Sequence, residues 1–447
     1  MSQAPPTIAE LGFQIRSGSA TSFSLVEACL ERAQAQDGLN AFVHLCSEDA
    51  LNRAREADRE ISAGRVIGPL HGIPYAVKDT YDVAGLPTRA GSRLTDSAPA
   101  RANAALVERL ERAGAIILGK LNTWEYGTGN GGEYFDLPFP PARNPWDPAR
   151  FTGGSSTGCG VAVAAGMVPF SLGSDTTGSI RLPAAATGTA GMIATPGALS
   201  LDGILPNCWS LDSPGILAWT AEDVSLVLQA LTGGMKDDRK KPYSVGVLHG
   251  GDSGMPAPHP ELQTAFAAAV DLLRAQDVQV TDIELPFSID ACFQATRMIG
   301  PAETGSLHEK ELRERPGEMG RALRDKMLGG HTIRAVDYLA ALRFRTVVQE
   351  SIEALIAPFD AIVTYGTLGL PPVLGREPEM TRYTTDTFLT PFNLSGHPAM
   401  TQCIGFSADG LPLNWQIVGK RHDEPRMLGL AERYERATPW RMRRPGA

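Results

Sequence analysis

Two glycine–serine segments hold the residues best suited to chemistry in this 447-residue chain. The first, Phe151-Thr-Gly-Gly-Ser155-Ser156-Thr-Gly-Cys-Gly160, runs into a helix of small residues from Val161 to Ala165. The second is Gly173-Ser-Asp175-Thr-Thr-Gly178-Ser179-Ile-Arg181-Leu-Pro183. Glycine at this density lets successive backbone N–H groups turn toward a small anion, and serine adds a hydroxyl that can attack or donate. Residue types alone leave three readings open: a plain loop, a phosphate cradle and a nucleophile loop. The phosphate loop GxxxxGK[ST] is absent, neither segment contains GxGxxG, and neither Ser155 nor Ser179 stands at the centre of GxSxG.

These segments need rigid elements to hold them. Upstream, Gly72-Ile-Pro-Tyr-Ala-Val-Lys78 is a short apolar run that ends in a lysine, the pattern of a buried strand with its polar cargo at the C-terminal end. Residues 24–35 and 50–63 read as helices, the first behind a serine cap; residues 103–113 read as a helix followed by a buried strand over 114–119. The alternation returns late in the chain, with strands expected at 245–248, 278–285 and 361–364 and an amphipathic helix over 260–275. Repeated helix–strand units predict an α/β core with a sheet covered on both faces. Helical periodicity dominates 291–357 and predicts a cap.

The bulk numbers narrow the class. A net charge of −9 argues against nucleic-acid binding as the main business. Six cysteines without a CxxC pair point to reduced thiols and a cytoplasmic setting, and eight histidines show no HxH or HxxxH spacing, so no metal or other cofactor is expected. No signal-peptide core opens the sequence and no apolar run reaches membrane-spanning length.

Taken together, the two segments resemble the defining region of the amidase signature family, and further stretches fit in the family's order. Gly68-Pro-Leu-His-Gly-Ile-Pro-Tyr-Ala-Val-Lys78-Asp79 is similar to its lysine strand. Ala113 to Asn122, Arg143-Asn-Pro-Trp-Asp147, Ser210-Leu-Asp-Ser-Pro-Gly215, Pro391 to Pro398 and Gly410 to Gly419 also match. The resemblance spans residues 7–435 and is weakest over 250–360. It implies one large mixed β-sheet covered by helices on both faces, with a helical cap from the 250–360 region. Residues 1–232 would carry the core and triad, 233–243 a polar junction, and 244–447 the rest of the sheet, as one compact catalytic unit.

The resemblance also implies roles. Ser179 matches the nucleophile, Ser155 the proton relay behind a cis peptide bond, and Lys78 the base. Serine is a poor nucleophile without a base in reach, and a lysine serves as base only when desolvation keeps it neutral. The N–H groups of Thr176, Thr177, Gly178 and Ser179 would form the oxyanion hole. Asp175 and Arg181 would brace this loop or touch substrate. Cys159, His71 and His397 read as packing or loop residues.

Thr177 stands where the family commonly has glycine, Met192-Ile-Ala replaces its usual Leu-Lys-Pro, and residues 131–141 form a longer, more aromatic segment that could line the entrance. The expected partner is a small amide, with no direct nucleic-acid or membrane contact and a homodimer allowed. Three substrate readings follow. One is a free-standing amidase for a small organic amide. A second acts on urea derivatives of the allophanate or carboxybiuret type. In the third, the chain is the glutaminase component of a tRNA-dependent amidotransferase, with Asp386 recognising glutamine and Arg324 its carboxylate.

Overall fold

The computed structural model describes residues 6–446, apart from 96, 130–134, 235–241 and 250–253. Eleven strands form one mixed sheet: β1 Phe42–Leu45, β2 Pro74–Lys78, β3 Ile116–Leu121, β4 Phe170–Asp175, β5 Ala190–Ile193, β6 Ser213–Ala218, β7 Ser244–Leu248, β8 Gln279–Ile283, β9 Ala361–Tyr365, β10 Ala399–Phe406 and β11 Pro412–Gly419. Their order is β1-β3-β2-β4-β6-β5-β10-β11-β9-β7-β8. β3, β2 and β4 run parallel, as do β8, β7 and β9. The antiparallel pair β5–β10 joins the two halves of the chain in one sheet. Most of the expected 233–243 junction falls on 235–241, outside the described residues.

Successive side chains of a strand point to opposite faces, and the core follows that rule. Tyr75 and Val77 of β2 join one apolar cluster with Phe170 and Leu172 of β4, and the Tyr75 and Phe170 rings stack at 5.3 Å. Ala76 joins the other cluster, packed with Val161 and Ala164 of the helix Thr157–Ala164. Helices Ala221–Thr232, Pro260–Ala275 and Glu424–Arg436 cover the first face. Helices Ser22–Ala35, Thr157–Ala164 and Ala335–Ile356 cover the second. Lys78, one residue beyond Val77, therefore points to the second face. It lies at the C-terminal end of parallel strands, where open α/β sheets place their ligands.

The helix expected over 24–35 begins at Ser22, and its cap is Thr21: Thr21 accepts the Ser24 N–H while Ser24 Oγ accepts the Thr21 N–H in return. The helix over 260–275 has the expected ends. The cap region comprises helices Ile289–Leu307, Glu309–Glu314, Arg321–Gly330 and Ala335–Ile356. Among the described residues, no helix is long and apolar enough to cross a membrane.

Candidate active site

Parallel pairing sets β2 beside β4, with Val77 opposite Leu172, so the two strand ends deliver Lys78 and Ser174 to the same place. Lys78 is fully buried. Its Nζ donates to Ser155 Oγ at 2.7 Å and to Ser174 Oγ at 3.0 Å. Burial lowers the lysine pKa to about 8, opposed by the charges of Cys159, Asp212 and Asp175. A lysine in that state exchanges its proton near neutrality, as a general base must.

Ser155 stands before the helix Thr157–Ala164, behind a cis Gly154–Ser155 bond. The two glycine–serine segments are stitched together by the backbone, Ser156 N–H donating to Ser179 C=O at 3.1 Å. Ser156 occupies the centre of Gly154-Ser-Ser156-Thr-Gly158, a GxSxG match in the sequence. Its hydroxyl donates to the Ser174 carbonyl at 3.1 Å, which makes it a clamp between the segments. Ser179 keeps 8% exposure against 1% for Ser155. Among the described residues, Ser179 Oγ makes no hydrogen bond, so the Ser155–Ser179 side-chain link is not closed here.

The 176–179 loop is shaped by Asp175. Its carboxylate accepts the N–H groups of Gly178 at 2.7 Å and Ile180 at 3.0 Å. Gly178 therefore drops out of the expected oxyanion hole, because its N–H is spent on Asp175. The N–H groups of Thr176, Thr177 and Ser179 have no acceptor among the described residues, which leaves three donors for a developing oxyanion. Gly178 has φ +132°, and a β-carbon there would stand 2.8 Å from Leu389 Cδ1. Thr176 Oγ1 donates to Asp212 Oδ1 at 2.6 Å.

Asp175 and Arg181 are both fully buried and pair at 3.0 Å. Arg181 also donates to Gln416 Oε1 at 2.7 Å and to the Leu389 carbonyl at 3.0 Å. Burial pushes the Asp175 carboxyl up, but the Arg181 guanidinium and its hydrogen bonds hold it below the usual value. Both residues tie the loop to the sheet, and the substrate-contact alternative fails because neither side chain is exposed.

Asp386 caps the helix Glu377–Thr385, and its carboxylate accepts from Thr385 Oγ1 at 3.3 Å. Among the described residues no hydrogen bond joins it to the triad or the 176–179 loop. Met380 and Tyr383 of the same helix pack with Trp124, Phe151, Leu182 and Leu389, a wall beside Gly154 and Gly178. Cys159 is buried with its thiol pushed up to about 12, which removes it as a nucleophile. His71 meets Glu60 at 3.2 Å, and burial lowers His397 to about 4.

Residue types gave no warning of one further cluster. Asn207 Oδ1 accepts from Lys326 Nζ at 2.8 Å and from Thr128 Oγ1 at 3.0 Å, while its Nδ2 donates to the Gly127 carbonyl at 3.2 Å and Thr176 Oγ1 at 3.3 Å. A β-carbon on Gly127 would lie 3.3 Å from Ser155 Oγ, 3.6 Å from Lys78 Nζ and 3.7 Å from Asn207 Nδ2. Lys326 comes from helix Arg321–Gly330, two residues beyond Arg324, whose guanidinium makes no hydrogen bond among the described residues. The helix start is held by Glu125 Oε2 and Asp136 Oδ2, which accept the N–H groups of Gly320 and Arg321 at 2.8 and 2.7 Å. Part of the long 131–141 segment thus anchors the cap; its residues 131–134 lie outside the described residues.

Residues 24–428 match the family model described as Amidase. The chain is 34% identical to a glutamyl-tRNA(Gln) amidotransferase subunit of Chloroflexus aurantiacus, with 96% of each chain covered. Among solved structures it is similar, at TM-score 0.88 and 31% identity, to an inhibitor-bound vestigial protein complex that bears on the origins of an s-triazine catabolic enzyme; 99% of this chain and 100% of that chain are covered. The native peptide amidase from Stenotrophomonas maltophilia matches at TM-score 0.82 and 28% identity, with 99% of each chain covered.

Proposed function

The chain belongs to the amidase signature family of amide-cleaving enzymes, and on that premise we propose that it hydrolyses the C–N bond of a small amide through an acyl-enzyme on Ser179. Ser179 Oγ attacks the carbonyl carbon while its proton passes to Ser155 and from Ser155 to neutral Lys78. The carbonyl oxygen, now an oxyanion, takes the N–H groups of Thr176, Thr177 and Ser179. As the C–N bond breaks, Lys78 and Ser155 return the proton to the leaving nitrogen. Water then attacks the acyl-Ser179 ester by the same route in reverse roles.

The observation that carries this reading is the 2.7 Å bond between Ser155 Oγ and a fully buried Lys78 whose pKa falls to about 8. Its close partners are the two hydroxyls of Ser155 and Ser174, with the Ser174 carbonyl at 3.5 Å, and among the described residues no carboxylate pairs with it. A second reading has a specific support: a relative at 34% identity is named as one component of a glutamyl-tRNA(Gln) amidotransferase. In that reading the amide is glutamine, and a partner protein receives the ammonia. Sequence kinship favours it over a free-standing amidase, while the triad chemistry is common to both. A cytoplasmic setting is supported by six unpaired cysteines.

The deciding experiment is a turnover screen over aliphatic, aromatic and urea-type amides and L-glutamine, with the wild type and Ser179→Ala. Trapping of an acyl group on Ser179 by mass spectrometry is the expected result. Turnover by Ser179→Ala at the wild-type rate overturns the assignment. Glutamine cleavage that depends on an added partner protein selects the amidotransferase reading.

A further inference from the structure

β4 and β6 run antiparallel, and their ladder ends with Asp175 opposite Ser213. The residues just beyond that pair, Thr176 and Asp212, therefore meet where the strands stop. Thr176 Oγ1 donates to Asp212 Oδ1 at 2.6 Å, within the short range of a charge-assisted bond to a carboxylate. Asp212 Oδ2 accepts the N–H groups of Asn207 at 2.8 Å and Cys208 at 2.9 Å, which closes the turn before β6. Asp212 is only partly buried, and among the described residues no cation pairs with it. Three donors hold it, and one of them is the first residue of the nucleophile loop.

Two carboxylates frame that loop. Asp175 takes the Gly178 and Ile180 N–H groups, which fixes the end that carries Ser179. Asp212 takes the Thr176 hydroxyl, which fixes the beginning, and Asn207 Nδ2 donates to the same Oγ1 at 3.3 Å. Thr176 is 8% exposed, while Thr177, between the two holds, is more open. Donors to an oxyanion act because they are oriented before the charge appears. An N–H cannot be aimed independently of its own residue, so the bond at Oγ1 aims the Thr176 N–H and the peptide that follows it. A carbon in place of Oγ1 would approach Asp212 Oδ1 no closer than about 3.3 Å, against 2.6 Å for the hydroxyl. A shift of that order beside reacting groups is on the scale that costs rate.

We propose that Asp212 is a positioning residue for the reaction at Ser179: through its bond to the Thr176 hydroxyl it holds the oxyanion donors in place from outside the nucleophile loop. This rests on acyl transfer to Ser179 and adds a second carboxylate to the one that follows from the loop itself. Asp212 touches no reacting atom, and its effect is transmitted through Thr176 alone.

The test reads the rate at which a short-chain fluorophosphonate modifies Ser179. That step forms the Ser179 oxygen–phosphorus bond, expels fluoride and uses the oxyanion donors, whatever the natural amide is. Thr176→Val keeps the side-chain shape, removes the hydroxyl and leaves both backbone bonds of the Asp212 turn. It is expected to slow labelling by about tenfold or more, and Thr176→Ser to regain most of that loss. With the best amide from the turnover screen, the loss in Thr176→Val should fall on kcat and not on KM, since the donors act in the transition state. Asp212→Asn should also slow labelling, and Asp212→Asn combined with Thr176→Val should be no slower than the slower single variant. Additive losses would mean that the two residues act independently, and that result overturns the proposal. So does a Thr176→Val rate within about twofold of wild type, the result expected if Asp212 serves only its turn. Should Asp212→Asn fail to fold, the valine and serine variants still decide, because they leave the turn intact. No labelling of wild-type Ser179 overturns the cleavage reading and the proposal together, whereas equal labelling of wild type and Thr176→Val overturns the proposal alone.

Discussion

Asp175 Oδ1 accepts the N–H of Gly178 at 2.7 Å, so the loop that ends in Ser179 is folded back onto the carboxylate that opens it. The same carboxylate holds Arg181 at 3.0 Å, and Arg181 reaches across to Gln416 on β11. Loop shape and sheet position are thus set by one buried charge pair. Removing Asp175 leaves a buried guanidinium uncompensated, which typically costs about 3–5 kcal/mol. Asp175→Ala is expected to lower unfolding free energy by that order in urea titrations. Arg181 holds the Asp175 pKa down, so this stabilisation is full above the ordinary aspartate value and is lost as pH falls through the folded value. Acid unfolding of Asp175→Ala should accordingly show a shallower pH dependence than wild type; equal slopes would contradict the role given to the pair.

Lys78 makes a second, opposite pH statement. Its pKa is lowered to about 8 by burial, so kcat/KM should rise as pH increases through about 8, where the lysine becomes neutral. The folded chain binds fewer protons at this site than the unfolded chain between about 8 and the usual lysine value near 10.4, so the Lys78 contribution to stability grows with pH there. Ser174 Oγ, 3.0 Å away, favours the ammonium. One such bond is worth about 1 kcal/mol, so Ser174→Ala should move the acid limb down by about half to one pH unit. A pH–rate profile of Ser174→Ala that overlays wild type would remove Ser174 from the site.

How much of this was legible in the residues depends on whether the signal is local. The run ending at Lys78, the two glycine–serine segments and the late helix over 260–275 carry their patterns within a few neighbouring positions. β11, Pro412–Gly419, is buried along its whole length, so the period-two alternation that marks a half-buried strand is missing. The Thr128–Asn207–Lys326 cluster was invisible for another reason. Its members come from two loops and a cap helix, and each is an ordinary surface residue type. Helical periodicity over 291–357 predicts a cap, but a single chain carries no sign of which of its residues the tertiary packing brings beside Asn207 and Thr128. The family resemblance pointed to Arg324 on this helix, whereas the side chain that bonds to Asn207 is that of Lys326.

Thr177 keeps the side chain that separates this loop from a glycine-rich one. It is partly exposed and stands next to Gly178 and Ser179, so under the proposed cleavage at Ser179 its methyl and hydroxyl would take up space beside the acyl group. Compact polar amides should be favoured over long-chain fatty amides, since polar groups left unpaired against an apolar substrate cost about 1–3 kcal/mol. Thr177→Gly is expected to raise the kcat/KM ratio of bulky to short amides. An unchanged ratio would show that another wall sets the limit.

Gly127 offers the sharpest separation of catalysis from stability. Its φ is +71°, and a methyl there would sit 3.3 Å from Ser155 Oγ and 3.6 Å from Lys78 Nζ. Gly18 has nearly the same backbone, φ +74°, with nothing within 4 Å of the added carbon. A side chain in the left-handed region costs about 1–2 kcal/mol in either place, so Gly127→Ala and Gly18→Ala should lose similar amounts of unfolding free energy. Their kinetics should diverge. At Gly127 the methyl crowds the Ser155 hydroxyl, which in the proposed mechanism passes the proton from Ser179 to Lys78, and a displacement of that scale beside reacting groups can cost about a hundredfold in rate. Gly18→Ala, at the end of the first helix Ile8–Ser17, touches nothing near the triad and should keep the wild-type kcat. Measuring kcat and urea unfolding for both variants decides the matter. Equal kcat values with equal stability losses would mean that Ser155 does not move during turnover, and that the space beside Gly127 serves no proton transfer.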